Sequence, residues 1–173
     1  MLGWLLLISA PIAQGQSAPP SEYQIKAAFL YNFAKFVEWP ESAFDSTNAP
    51  IVFGIIGEDP FNSDLEATIE NKTINNRPVV IRRFRSDREL QRTHVLFISS
   101  SERRRLESIL ERVKGFPTLV VGDEIERFCQ RGGMINFIME ERKVRFQINQ
   151  VRAEQEGLKI SSKLLKLALP STD

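Results

Sequence analysis

A chain of 173 residues is long enough for one domain with a real core and short for two, and at 42% hydrophobic and 26% charged it is a folding sequence, not a disordered one. Its 23 basic and 22 acidic side chains nearly cancel, which leaves no global field to favour nucleic acid. One cysteine, Cys129, excludes an internal disulfide, and with a single histidine, His94, it cannot complete a typical structural zinc site of four such ligands.

The first fifteen residues carry no charged side chain. Residues 2–12 are an apolar run, too short for the ~20 residues that cross a bilayer. Ala13-Gln14-Gly15 is a small-x-small cleavage pattern, so residues 1–15 read as a signal peptide, with Gln16 as the mature N-terminus of a periplasmic protein and residues 16–21 as a disordered lead-in. The usual basic n-region is missing: either the signal is weak or the true start lies upstream of Met1.

Residues 23–40, YQIKAAFLYNFAKFVEWP, predict a helix with Ser21 as N-cap, Glu22 in the first turn and Trp39-Pro40 as the stop. Ile25, Ala27, Phe29, Leu30, Phe33, Ala34, Phe36 and Val37 cover an arc of roughly 200°, against the ~100° stripe that core packing requires. Lys26 falls inside that arc and must snorkel outward or find a partner. The helix is either deeply buried core or a face that sets Phe29, Phe33 and Phe36 against a partner or a second copy, making a homodimer.

After a polar stretch, residues 51–56 (IVFGII) read as a strand buried on both faces. Asp59 and Pro60 are cap and first position of a helix to about Asn71. Further strands follow at 79–81, 95–98 and 118–121, with a short helical stretch over 87–92 and another over 124–130. Ser99 and Glu102 have capping-box spacing for a helix through Val113, ended by Gly115. Residues 134–139 and 143–148 then alternate as a hairpin about Glu140-Glu141-Arg142. Asn149 caps a short helix ended by Gly157, residues 158–160 form a short strand, and Ser161 or Ser162 caps a last helix through Leu169. Four βα units followed by a hairpin give the α/β class: a single-domain sandwich, residues 22–169, with a mostly parallel sheet and an antiparallel C-terminal hairpin.

The search for chemistry is mostly negative. G-x-S-x-G, H-E-x-x-H, Walker-type and G-x-G-x-x-G patterns are all missing from the sequence, so no catalytic residue, metal ligand or cofactor is assigned. Ligands of open parallel sheets sit beyond the strands' carboxyl ends, which here offer Gly57, Glu58 and Asp59, then Ser99, Ser100 and Ser101, then Gly122 and Asp123. These are either caps and turns or a site for a small polar or anionic ligand. Residues 77–105 hold nine arginines against three carboxylates, a local net of +6 in a chain of +1, so the remainder is about −5. That edge, with Arg103 and Arg104, would steer an acidic partner.

The opening helix with AAFLYNFAKFVEWP, then Gly122-Asp123, Phe128 and residues 131–136 (RGGMIN), and finally residues 144–149 and 157–168, resemble the YfiR family of bacterial periplasmic proteins, from about Tyr23 to Ala168. The resemblance implies a non-enzymatic regulator that represses an inner-membrane signalling protein, a diguanylate cyclase, by binding its periplasmic domain. The family's intramolecular disulfides have no counterpart in a chain whose only cysteine is Cys129. The competing expectation is a periplasmic small-ligand or cell-wall-fragment binding component of a sensor or transport system.

Overall fold

The computed structural model describes residues 19–170; the expected signal peptide lies outside them. In chain order the elements are α1 (Glu22–Lys35), β1 (Val37–Glu38), β2 (Ile51–Ile56), α2 (Asp64–Ile69), β3 (Thr73–Ile74), β4 (Arg77–Phe84), β5 (Val95–Ile98), α3 (Leu106–Val113), β6 (Leu119–Asp123), β7 (Ile135–Glu140), β8 (Lys143–Ile148), α4 (Gln150–Gln155), β9 (Lys159–Ile160) and α5 (Ser162–Leu165). The main sheet runs β3-β4-β2-β5-β6-β7-β8. Its five central strands, β4 to β7 in that order, are parallel, β8 returns antiparallel to β7, and β3 pairs antiparallel with the start of β4. The α/β class, the mostly parallel sheet and the C-terminal hairpin are as the sequence predicts.

Local chemistry sets most element boundaries. Ser21 is the N-cap of α1 in a reciprocal capping box: its hydroxyl accepts the Gln24 N–H and its own N–H donates to the Gln24 side chain. The helix stops at Phe36, short of the expected Trp39, because Val37 and Glu38 leave it to pair antiparallel with Ile160 and Lys159. α2 begins at Asp64, not at Pro60; Asp59 instead accepts the Phe61 N–H at 2.8 Å and closes a turn. Ser99 caps a 3-10 turn over Ser100–Glu102, and α3 follows only from Leu106. No helix forms over 124–130, since Glu124 and Arg127 both take positive φ, 53° and 52°. α5 ends at Leu165, and Leu169 bridges to Gln147 beside β8.

Side-chain alternation divides the core into a layer on each sheet face. Ile51, Phe53 and Ile55 face the α1 side, while Ile56, Leu96, Ile98 and Val120 meet Leu106 and Ile109 of α3 on the other. The aromatic face of α1 is spent on the first layer. Phe33 is fully buried, stacked on Phe137 at 5.5 Å and edge-on to Phe146 at 5.0 Å, and half-buried Phe29 joins the same group. Phe36 is half-buried against the same core. Sequestering the Phe33 ring contributes about 1.5–3 kcal/mol to folding.

Candidate functional site

Lys26 points inward from α1 and its side chain is fully buried. Its ammonium meets Asp123 Oδ1 at 2.6 Å, Glu22 Oε1 at 2.5 Å and Glu124 Oε1 at 3.0 Å. Glu22 arrives from one helical turn earlier, the i, i+4 spacing that puts both on one face. Asp123 is the last residue of β6, at the carboxyl edge of the sheet, and is itself only 2% exposed. The Tyr23 hydroxyl donates to Asp123 Oδ2 at 3.1 Å, and the Tyr23 ring lies 4.8 Å from the ammonium.

Burial by itself pushes Lys26 toward neutrality; the hydrogen bonds to Asp123, Glu22 and Glu124 outweigh it and hold its pKa above the ordinary lysine value. Burial, then the Asp123 charge, push the Tyr23 phenol up to about 12. Glu124 reaches the ammonium from a left-handed backbone held on both sides. Its N–H donates to the Phe137 carbonyl at 3.0 Å, while the buried Asn136 amide accepts from Ile125 N–H and donates to the Ile125 carbonyl. Glu22, Asp123 and Glu124 bring ligand oxygens within 4.8 Å of one another, a set that would suit a hard cation, but the Lys26 ammonium already bonds all three and stands where an ion would. What the arrangement does chemically is neutralise a buried carboxylate and pin α1 to the end of β6.

The residues expected to cradle a ligand gather at neighbouring strand ends, Ile98 being paired with Gly122. Ser101 Oγ accepts the Glu58 N–H at 3.0 Å and donates to Ser99 Oγ at 3.2 Å. Gly57, at φ 94°, has its open side filled: a Cβ there would lie 2.5 Å from Ser101 Oγ and 2.7 Å from Glu102 Cγ. Asp59 is held by Arg83 Nε at 2.6 Å. The buried Glu102 carboxylate lies beside them, ion-paired with Arg105 Nε at 3.2 Å but out of hydrogen-bonding line. Ser100 is half-buried in the 3-10 turn. Gly122 lies under the Phe128 ring, and Asp123 is committed to Lys26. Arg103 and Arg104 are exposed on the surface just before α3.

The two residue types that most often carry catalysis are structural here. Cys129 is buried, its thiol pushed by that burial up to about 11, with only the Met134 carbonyl, at 3.9 Å, as acceptor. His94 Nδ1 accepts the Val52 N–H at 3.0 Å and its Nε2 donates to the Ala43 carbonyl at 3.1 Å, so the neutral ring bridges two segments while stacked on Phe44. Burial holds its pKa below the usual histidine value. Glu22, Tyr23 and Glu124 were not anticipated in a site. Lys26 within an apolar arc was the available signal, because a charge placed there requires a counter-charge.

An α/β sandwich with a parallel sheet, its strand ends closed by their own caps and a tethered ammonium, has the build of a scaffold. The chain belongs to the YfiR/HmsC-like family, whose model matches residues 23–169. Among solved structures it is similar to a conserved domain protein from Vibrio cholerae O1 biovar El Tor strain N16961, with TM-score 0.59 and 12% identity, over 88% of this chain and 60% of that one. That likeness is one of fold. Comparison with curated proteins finds no match. Membership of the family supports a periplasmic regulatory role in general terms, and among the described residues no helix is long and apolar enough to cross a membrane.

Proposed function

We propose that the protein is a non-enzymatic periplasmic regulator that represses an inner-membrane signalling enzyme, a diguanylate cyclase, by binding its periplasmic domain. The observation that carries this reading is the YfiR/HmsC-like match across residues 23–169. It is supported by the way Cys129, His94 and Lys26 are each committed to partners inside the fold. The exposed Arg103 and Arg104 contribute charge to docking, and the half-buried Phe29 and Phe36, in place of the sequestered Phe33, are what α1 has left for a homodimer.

Deletion of the gene is expected to raise cyclic-di-GMP, and the purified protein to bind the cyclase's periplasmic domain. Arg103→Glu with Arg104→Glu weakens that binding and flattens its salt dependence. An unchanged cyclic-di-GMP level together with no such binding refutes the reading and leaves the small-ligand component as the better account.

A further inference from the structure

The outer side of β4 is bare for most of its length. β3 covers only Arg77 and Pro78, whereas β4 runs on to Phe84 with its inner side laddered to β2 throughout residues 79–84. Among the described residues no strand lies beyond that stretch. The Phe84 carbonyl accepts the Gly57 N–H and therefore faces β2. Alternation along a parallel ladder then aims the N–H and C=O groups of Val79, Ile81 and Arg83 outward, in the same set as Arg77, which pairs with Ile74 across the β3–β4 turn. The opposite edge differs: there Leu169 donates to the Phe146 carbonyl and covers part of β8.

The side chains along the bare stretch differ by face. Val79 and Ile81 pack toward the core on the α2 side, beside an open groove of about 970 Å³ in which Glu66 and Glu70 are balanced by Lys72 and Arg83. On the other face stand Val80 and Arg82, whose guanidinium bonds only the neutral Gln91 side chain. Arg83, by contrast, is already paired with Asp59 and Glu66. Residues 77–85 contain four arginines and no carboxylate, so antiparallel pairing of two copies through this edge would oppose like charges.

We propose that the open edge of β4 takes up, as an added strand, an extended segment of a partner protein that alternates apolar and acidic side chains. Its backbone bonds Val79, Ile81 and Arg83; its apolar side chains lie beside the apolar Val79 and Ile81; its acidic side chains flank Arg82. This surface is separate from Arg103 and Arg104 and does not depend on the partner being a cyclase.

The probe is an acetylated, amidated peptide of alternating Glu and Val, compared with its Lys and Val counterpart, and the readout is residue-resolved amide exchange. The Glu-Val peptide is expected to slow exchange at Val79, Ile81 and Arg83 about fivefold or more, and the Lys-Val peptide to leave it unchanged. Ile81→Pro removes one outward N–H while sparing the ladder to β2, and abolishes the protection. Arg82→Glu reverses the preference between peptides. No protection, equal protection by both peptides, or protection confined to other residues overturns the proposal. If Ile81→Pro does not fold, Arg82→Glu decides, an unchanged preference overturning it and a reversed one supporting it.

Discussion

Lys26→Met tests whether the buried ammonium holds the fold or merely occupies it. The substitution keeps a long apolar stem in the same space but leaves Asp123, 2% exposed, with the Tyr23 hydroxyl as its remaining side-chain donor. The Glu22 and Glu124 side chains are 36% and 43% exposed and turn to water at little cost, so the penalty falls on Asp123 alone. Removing one partner of a buried ion pair costs about 3–5 kcal/mol, because a desolvated charge is left uncompensated. Urea unfolding should show the midpoint falling at constant m, and the melting temperature should drop by about 6–20 °C for a domain of this size. Asp123→Asn added to Lys26→Met takes away the orphaned charge yet keeps an acceptor for Tyr23, so the double variant should be more stable than Lys26→Met. The coupling should be about 2 kcal/mol or more. A loss under about 1 kcal/mol in the single variant, or a double variant equal to the sum of its singles, refutes the reasoning.

Three further outcomes follow from individual environments. Gly57→Ala meets Ser101 and Glu102 at a φ of 94°, whereas Gly115→Ala, at 81°, has open space around it; calorimetry should find about 1–2 kcal/mol lost at Gly115 from backbone strain alone and clearly more at Gly57. His94 has its pKa lowered in the folded state, so its contribution is present above the unfolded value of about 6.5 and is lost as pH falls below it; the urea midpoint should decline from pH 7 to pH 5, and His94→Asn should flatten that decline. Cys129, buried and with its thiol raised to about 11, should react with a thiol reagent in native buffer only as fast as the protein opens, and at once in denaturant.

The elements legible in the sequence were those whose pattern is local and saturated. β2, β5 and β8 fall where residues 51–56, 95–98 and 143–148 were expected, because two are unbroken apolar runs and the third alternates strictly. Errors came where a distant segment decides. Phe36 and Val37 continue the helical period of α1, yet β9, more than a hundred residues later, draws Val37 into a strand. The β3–β4 hairpin has its signal in Asn75 and Asn76, at φ 50° and 62°, residue types that favour such a turn, but β3 is only two residues long and carries no strand pattern of its own. The turn expected over Glu140-Glu141-Arg142 lies at Glu141 and Arg142, with Glu140 still in β7; it is legible despite lacking those types because the flanking alternation is strong. Lys26 reads as needing a partner and Asp123 as a strand-end ligand group, but 97 residues separate them and no local rule pairs them.

That pairing also resolves a difficulty posed by α1 itself. An apolar arc of roughly 200° lets a helix settle on a sheet in several rotations with similar burial, because the stripe is wider than the contact. Hydrophobic contact is non-directional and does not choose among them. A lysine within the arc does, since the rotation seen brings its ammonium to Asp123 and Glu124, while Glu22, on the same helix, turns with it and cannot choose among rotations. The capping box fixes where the helix begins, the β1–β9 ladder fixes where it ends, and Lys26 fixes which way it turns. The two docking surfaces proposed above, the β4 edge and the exposed arginines, would offer a partner mainly backbone and charge. Complexes built on such surfaces should form faster and bind more tightly at low ionic strength, a dependence that burial of the α1 phenylalanines would not produce.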